Sequence, residues 1–285
     1  MSDTFPKFTA ACVQMRTGKD IDHNIEAASA FIREAAARGA QFIATPETTS
    51  LMELGAKKLF ANIVEEKDDR ALKAFRALAA ELDVHLLIGS LAVRVAADKA
   101  ANRSFLISGQ GKVIVRYDKI HMFDVDLGNG ETYAESKNYQ PGERTVLATL
   151  PWGKIGLTVC YDLRFPHLYR QLAHAGASFL SVPSAFTQQT GEAHWEVLLR
   201  ARAIETGCFV FAPAQGGVHE NGRETFGHSM IVDPWGVVLA QADQDPCVVT
   251  AEIDLAKVHE ARAKVPSLTH DRAILAPFNS DKDQV

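Results

Sequence analysis

The sequence predicts an α/β fold in which two β-sheets are covered on their outer sides by helices. Three observations support this prediction. Strand-like and helix-like segments alternate along the chain, the strands outnumber the helices, and the strands are spread evenly. Apolar residues make up 47% of the 285 residues, enough for a sizeable core, and no low-complexity linker divides the chain. We therefore expect one domain over residues 1–285, with a core at about 8–260 and a tail at 261–285.

In the first half of the chain, apolar side chains at helical spacing predict helices over 21–40 and 68–83. Apolar and β-branched runs bounded by turn residues predict strands at 9–15, 41–47, 84–93, 102–108 and 113–120. Residues 121–144 have no clean period. A stretch of that length inside a compact domain is usually functional or mobile.

The same criteria predict three helices in the second half, over 166–175, 193–206 and about 254–264. The strands predicted there lie at 145–149, 154–160, 178–182 and 208–214, and near 228–232, 237–242 and 247–253.

Composition and motifs exclude several classes of protein. The formal net charge of −5 argues against a nucleic-acid partner, and no apolar run reaches the ~20 residues of a membrane span. The four cysteines are far apart, and the start "MSDTFPKFTA" lacks the basic and apolar regions of a signal peptide. We therefore expect a cytoplasmic protein. The sequon at Asn102 is then accidental. Neither a metal-ligand cluster nor a phosphate-binding loop is present, and we expect no metal and no cofactor.

Three chemically reactive side chains fall at predicted strand ends: Glu47, Lys119 and Cys160. Ligand sites of layered α/β folds collect at such ends. The thiol would attack a carbonyl carbon, and Glu47 would take its proton if burial raises the pKa of the carboxyl group. Lys119 would favour the thiolate and stabilise an oxyanion, with the backbone N–H of Tyr161 as a second donor.

Each of these residues also has a purely structural explanation. Cys160 would serve as a core residue, Glu47 as a helix-cap residue, and Lys119 as an ordinary surface lysine. Spacing along the sequence does not establish that the three side chains meet.

Longer motifs favour the catalytic interpretation. They resemble those of the carbon–nitrogen hydrolases of the nitrilase superfamily over about residues 8–260. The segments that carry the resemblance are "PE" at 46–47, "YDKIHMFD" at 117–124, "ESKNYQPG" at 135–142, "GLTVCYDLRFP" at 156–166 and "HWEVLLRARAIET" at 194–206. The resemblance implies a four-layer α-β-β-α sandwich.

The family's Glu–Lys–Cys triad falls on Glu47, Lys119 and Cys160. A second family glutamate, which holds the lysine and the first glutamate, falls on Glu135. The resemblance also implies a homodimer or higher homo-oligomer that pairs through the helix at 166–175. Its apolar stripe (Phe165, Leu168, Leu172 and Ala173) would serve as that contact or would pack within the chain.

Within the superfamily, "PSAF" and "GHSMIVDPWG" resemble the Nit branch, although Glu192 stands where that pattern has proline. The implied reaction hydrolyses deaminated glutathione to 2-oxoglutarate and Cys-Gly through a cysteine thioester. A keto-acid substrate needs a cationic side chain to bind its carboxylate, and Arg164 is the first candidate for this role. Phe186 is a candidate apolar wall, and Thr187 and His194 are further candidates for the pocket.

Other functions remain open at this point. The chain would also suit an ω-amidase acting on 2-oxoglutaramate or related dicarboxylic monoamides, or another amidase or carbamoylase of the superfamily. A non-catalytic binding protein on this fold is disfavoured, because a scaffold has no need for a buried acid–amine–thiol set.

Overall fold

Two six-stranded β-sheets lie face to face in the structure, a computed structural model that describes residues 5–128 and 130–275. Helices cover the outer side of each sheet. The predicted α/β class with four layers, α-β-β-α, is confirmed.

The strands of the described chain are β1 Lys7–Gln14, β2 Phe42–Ala44, β3 His85–Arg94, β4 Ala100–Ile107, β5 Val113–Asp118, β6 Asp124–Asp126, β7 Thr132–Ala134, β8 Val146–Leu150, β9 Gly153–Leu157, β10 Phe179–Ser181, β11 Phe209–Ala212, β12 Gly216–Val218, β13 Glu224–Phe226, β14 Met230–Val232, β15 Val238–Gln241 and β16 Cys247–Asp254. The α-helices are α1 Ile21–Ala37, α2 Ala56–Asn62, α3 Arg70–Leu82, α4 Pro166–His174, α5 Gln188–Thr206 and α6 Ala256–Lys264.

The two sheets are built on the same plan. The first has the strand order β16-β1-β2-β3-β4-β5, and the second has the order β15-β14-β11-β10-β9-β8. In each sheet the three central strands, β1 to β3 or β9 to β11, run parallel, and the outer strands are antiparallel. Two short hairpins, β6–β7 and β12–β13, stand outside both sheets. Parallel strands end at the same edge of a sheet, which is where a site can be assembled.

Alternation along β1 explains the layering. Phe8, Ala10 and Cys12 belong to the core between the two sheets, whereas Ala11 and Val13 belong to a second core beneath α1 and α3. Aromatic rings bridge the sheets: the ring centroids of Phe8 and Phe179 are 5.5 Å apart, and those of Phe42 and Phe211 are 5.1 Å apart. These contacts hold the two sheets in a fixed relation.

Helix ends follow ordinary capping chemistry. The Asp20 side chain accepts hydrogen bonds from the first N–H groups of α1, and Gly39, with φ of +86°, follows its last turn. Asp69 caps α3 in the same way. Helices α1 and α3 pack on the first sheet, while α4 and α5 contribute to the core of the second.

Several predicted boundaries are wrong. The strand predicted at 41–47 is only three residues long, and the one predicted at 154–160 ends at Leu157. Helix α5 begins at Gln188 rather than at residue 193, because the Thr187 side chain caps it by accepting from Thr190 N. Helix α2 and the hairpins β6–β7 and β12–β13 were not predicted. The strands of these two hairpins are three residues long, too short for a periodic pattern.

The apolar stripe of α4 is buried within the chain. Leu168, Leu172 and Ala173 are at most 3% exposed and belong to the core of the second sheet. Phe165 stacks on the ring of His121, with 3.5 Å between centroids. Of the two explanations for this stripe, packing within the chain is therefore correct, and pairing of two copies stays a prediction.

The C-terminal segment is joined to the core. The boundary expected at residue 260 falls inside α6, and Arg262 of this helix donates to Thr206 O at 3.0 Å. Residues 276–285 of the expected tail lie outside the described residues. No described helix is both long and apolar enough to cross a membrane.

We predict that Gly89→Ala destabilises the fold and disturbs the strand end that carries Glu47. A Cβ atom at Gly89 in β3 would lie 2.2 Å from Thr45 O and 2.4 Å from Pro46 O. The free energy of unfolding should fall by about 1–3 kcal/mol, as measured by denaturant titration. The matched control is Gly55→Ala, whose Cβ would have no neighbour nearer than 3.4 Å. Equal stability of the two variants would contradict the prediction.

Candidate active site

The structure brings the three predicted strand-end residues to one cavity. Glu47 follows β2, Lys119 is the residue after β5, and Cys160 follows β9, and all three line this cavity. Lys119 Nζ donates to Glu47 Oε1 at 3.0 Å. Lys119 is 2% exposed and Glu47 4%, so their charges are held out of water. Neither residue is an ordinary surface or cap residue.

Glu135 completes the charged group. Its side chain accepts from Lys119 Nζ at 2.8 Å and 3.1 Å and from the backbone N–H of Phe123 at 2.7 Å. It opens a 3₁₀ turn, Glu135–Lys137, directly after β7. The segment 121–144, which lacks a sequence period, is therefore ordered around Lys119 where it is described.

Asn102 of β4 holds both glutamates. Its Nδ2 donates to Glu47 Oε1 at 2.8 Å and to Glu135 Oε1 at 3.1 Å, and the residue is 4% exposed. Sequence reasoning treated Asn102 only as an accidental sequon. The local sequence gave no signal for this role, because Asn102 is one of three consecutive polar residues, followed by Arg103 and Ser104.

The other oxygen of Glu47 is fixed by the second sheet. The backbone N–H of Ala185, four residues after β10, donates to Glu47 Oε2 at 2.9 Å. The Gln215 side chain donates to Glu47 O at 2.9 Å. Both oxygens of the carboxylate are therefore held by donors, and the group has little freedom to turn.

Cys160 stands in a strained turn. It begins the 3₁₀ segment Cys160–Arg164 with φ of +50°, a left-handed conformation that costs a non-glycine residue roughly 1–3 kcal/mol. Cys160 N donates to Pro183 O at 2.9 Å. This geometry sets the residue apart from a core cysteine in a regular strand.

Asp162, which sequence reasoning missed, holds this turn. Its buried carboxylate accepts from Val159 N at 2.8 Å and from Tyr117 Oη at 2.7 Å. It also accepts from His121 N at 3.1 Å and lies 2.7 Å from His121 Nδ1. A carboxylate two residues after a candidate nucleophile was the only signal in the sequence.

The ionisation states differ from those expected. Burial raises the pKa of Glu47, but attraction to the Lys119 ammonium outweighs it, and the net pKa lies below the usual range. Burial lowers the pKa of Lys119, but the charges of Glu135 and Glu47 outweigh it and raise the pKa well above its ordinary value. Glu47 is therefore a carboxylate at neutral pH. The condition that burial should raise its pKa was wrong and is not needed, since the ionised form is the one that accepts a proton.

Burial, followed by the negative charge of Glu47, raises the pKa of the Cys160 thiol well above its ordinary value. The attraction of Lys119 for a thiolate is smaller than these effects. The cysteine is therefore protonated at rest, and its reactivity requires a base beside it. Glu47 is the ionised carboxylate in that position.

The cavity has a volume of about 230 Å³, suited to a small molecule, and Tyr161, Arg164, Phe186 and Thr187 line it. His194 does not: it is exposed and lies behind Arg164, with its Nδ1 3.3 Å from Arg164 Nη2. The next residue of α5, Trp195, is packed in the core at 1% exposure, and His194 lies on the outer face of the helix. Within the described ranges, no group of three or more possible ligands is arranged to hold a metal ion.

The fold and the site together define an enzyme of the nitrilase type, and the chain belongs to the carbon–nitrogen hydrolase family, whose sequence pattern matches residues 9–263. The family expected from the motifs is thereby confirmed.

Named relatives cover almost the whole chain. It is 40% identical to the deaminated glutathione amidase of Synechocystis sp. over 268 residues, which is 92% of this chain and 97% of that protein. It is 38% identical to the deaminated glutathione amidase of Homo sapiens, over 92% of this chain and 81% of that protein. Saccharomyces cerevisiae Nit3, a member of branch 10 of the nitrilase superfamily, has a similar fold, with a TM-score of 0.82 and 27% identity over 91% of this chain and 94% of that one.

Replacing Glu135 by Gln is predicted to lower turnover by ~10²-fold or more, the scale of losing preorganised electrostatic support. Both carboxylate oxygens of Glu135 accept hydrogen bonds. In either orientation of a glutamine side chain, its NH2 group would therefore face a donor and lose that hydrogen bond. Turnover of an amide substrate by the purified variant measures the effect. Glu143→Gln, which removes a charge at an exposed site, is the control. Wild-type turnover by the Glu135 variant would remove this residue from the site.

Proposed function

We propose that this chain hydrolyses a linear amide through a thioester on Cys160, with Glu47 as general base and acid and Lys119 as oxyanion donor. The observation that carries the proposal is the buried ion pair between Lys119 and Glu47 beside the Cys160 thiol. An ionised carboxylate next to a protonated thiol is the arrangement that base-assisted attack requires.

The steps use the groups of the cavity and one water molecule. Glu47 takes the thiol proton as Cys160 Sγ bonds to the amide carbon, and the carbonyl oxygen becomes an oxyanion held by Lys119 Nζ and the N–H of Tyr161. The C–N bond then breaks as Glu47 returns the proton to the departing amine, which leaves a thioester. Glu47 next takes a proton from water, whose oxygen attacks the thioester carbon. The C–S bond then breaks, the carboxylic acid departs, and Glu47 gives the proton to the sulfur.

Glu135 and Asn102 act as positioning residues in this scheme. Glu135 keeps the Lys119 ammonium charged and aimed, and Asn102 links the two carboxylates. The mechanism therefore depends on three buried side chains, Glu47, Asn102 and Lys119, and on the part-buried Glu135. None of these four is proposed to bond to the substrate carbon.

We further propose deaminated glutathione as the substrate, cleaved to 2-oxoglutarate and Cys-Gly. The names of the relatives at 38–40% identity support this assignment. So does the presence of Arg164 in the cavity, since its guanidinium suits the carboxylate of the keto-acid end. Phe186 lies beneath this group, with 5.5 Å between its ring centroid and Arg164 Cζ, and forms an apolar wall.

The expected result is a kcat/KM for deaminated glutathione at least ~10-fold above that for 2-oxoglutaramate, a margin of about 1.4 kcal/mol in transition-state binding. Release of Cys-Gly and of ammonia, followed separately by mass spectrometry and an ammonia assay, measures the two reactions. Cys160→Ala is the control for a contaminating amidase and should abolish both. Faster hydrolysis of 2-oxoglutaramate would assign the chain to the ω-amidases instead. No turnover of either substrate would leave only the site and the reaction class.

We also propose that two copies of the chain pair. Ile204 on the outer face of α5 lies against Gly236, and this glycine is flanked by the exposed side chains of Trp235 and Val237. This apolar face replaces the buried stripe of α4 as the candidate contact. Sedimentation at micromolar concentration should give at least twice 31.1 kDa for the wild type and 31.1 kDa for Ile204→Glu. A wild-type monomer would contradict the pairing.

A further inference from the structure

A second arginine enters the cavity from the hairpin β12–β13. Arg223 precedes β13 and lines the cavity on a different element from Arg164. Its Nη2 donates to Ala185 O at 2.6 Å, and its guanidinium lies over the ring of Tyr133, with 5.2 Å from Cζ to the centroid. These contacts fix the guanidinium at the cavity wall.

Arg223 has few acceptors for a group with five N–H donors. Its Nε is buried without a hydrogen-bond partner, and the acceptor found for Nη1 is the sulfur of Met52 at 3.8 Å. In the ranges 5–128 and 130–275, no carboxylate forms an ion pair with Arg223 within 4.0 Å. Arg223 interacts with the charge of Glu47 through space and helps to lower the pKa of that carboxyl group. No described carboxylate is bonded to the guanidinium, however, and arginine cannot lose its charge.

Two other arginines, the part-buried Arg103 and the buried Arg202, have carboxylate partners. Arg103 binds Asp118 through two nitrogens and Glu66 through the third. Arg202 donates twice to Leu163 O and once to Glu205. Arg223 lacks such a partner among the described residues, and its Nε is in addition buried without an acceptor. An anionic group of the ligand would supply what is missing.

The neighbours of Arg223 place it on the leaving-group side of the cavity. Ala185, whose carbonyl accepts from Arg223, donates its own N–H to Glu47 Oε2. Glu47 is the group that returns a proton to the departing amine under the proposed function. In deaminated glutathione that amine belongs to Cys-Gly, whose terminal carboxylate lies within ~7 Å, the reach of two extended residues.

We propose that Arg223 binds the C-terminal carboxylate of the departing peptide, while Arg164 binds the keto-acid carboxylate at the other end. This assignment rests on the proposed function and makes the preferred substrate a dianion with one carboxylate on each side of the scissile amide. It also gives a physical reason for rejecting 2-oxoglutaramate, because that amide has no second carboxylate for Arg223.

The test compares three substrates: deaminated glutathione, its analogue with a C-terminal carboxamide, and 2-oxoglutaramate. For the wild type, kcat/KM should fall by ~10- to 100-fold from the acid to the carboxamide form, the range for losing a hydrogen bond to a charged group. In Arg223→Gln this ratio should fall towards one, chiefly through a higher KM for the acid form. Arg223→Lys should recover part of the ratio, since it keeps the charge but not the bidentate geometry.

Two further variants separate binding from a structural effect. Arg164→Gln should lower kcat/KM for all three substrates together, because all three carry the keto-acid end. Arg144→Gln, at an exposed arginine outside the cavity, controls for the loss of a positive charge. If Arg223→Gln lowers kcat equally for all three substrates, this arginine only supports Ala185 and Glu47, and the assignment is overturned while the proposed function stands. A wild type that does not release Cys-Gly overturns the proposed function and the assignment with it.

Discussion

The ammonium group of Lys119, held between two carboxylates away from water, is the constraint on which the rest of the site depends. Two acids and one amine leave a net negative charge, which needs further donors in a place where water cannot supply them. Asn102 and the backbone N–H groups of Ala185 and Phe123 provide these donors. Removing one partner of such a buried pair typically costs about 3–5 kcal/mol. The charged cluster is therefore stable only when every segment that contributes a donor is in place.

The two-sheet architecture meets this requirement because both sheets end at the same cavity. The first sheet brings Glu47, Asn102 and Lys119 from β2, β4 and β5, and the second brings Cys160 and the N–H of Ala185 from the ends of β9 and β10. The proposed nucleophile and its proposed base thus stand on different sheets. Their separation is set by the aromatic packing between the sheets rather than by any local turn. A well-packed core between the sheets has low compressibility, so it holds the distance between Cys160 and Glu47 constant.

Reactive side chains could be identified from the sequence, but hydrogen-bond partners that are distant along the chain could not. The fold class followed from the alternation of strands and helices. Glu47, Lys119 and Cys160 were singled out as reactive side chains at predicted strand ends, and the family motifs favoured their catalytic interpretation. The role of Asn102 was invisible, since its partner Glu47 lies 55 residues away, and the Ala185 donor lies 138 residues from the same carboxylate. The charge of Glu47 was misjudged for the same reason: burial can be guessed from a pattern, but the compensating ammonium depends on tertiary contact. Short hairpins such as β6–β7 and β12–β13 escaped because three-residue strands carry no period.

The electrostatics of the cavity separate reactivity from recognition. The positive charge of Lys119 is balanced by Glu47 and Glu135, so little of it remains to attract a substrate anion at a distance. An anionic substrate must therefore be bound by other cations, and within the described residues the cavity wall offers Arg164 and Arg223. Both arginines stand on segments outside the sheets, one in the 3₁₀ turn after Cys160 and the other in the hairpin β12–β13. Changes in these segments can alter the preferred substrate while the buried cluster, and with it the chemistry at Cys160, stays in place.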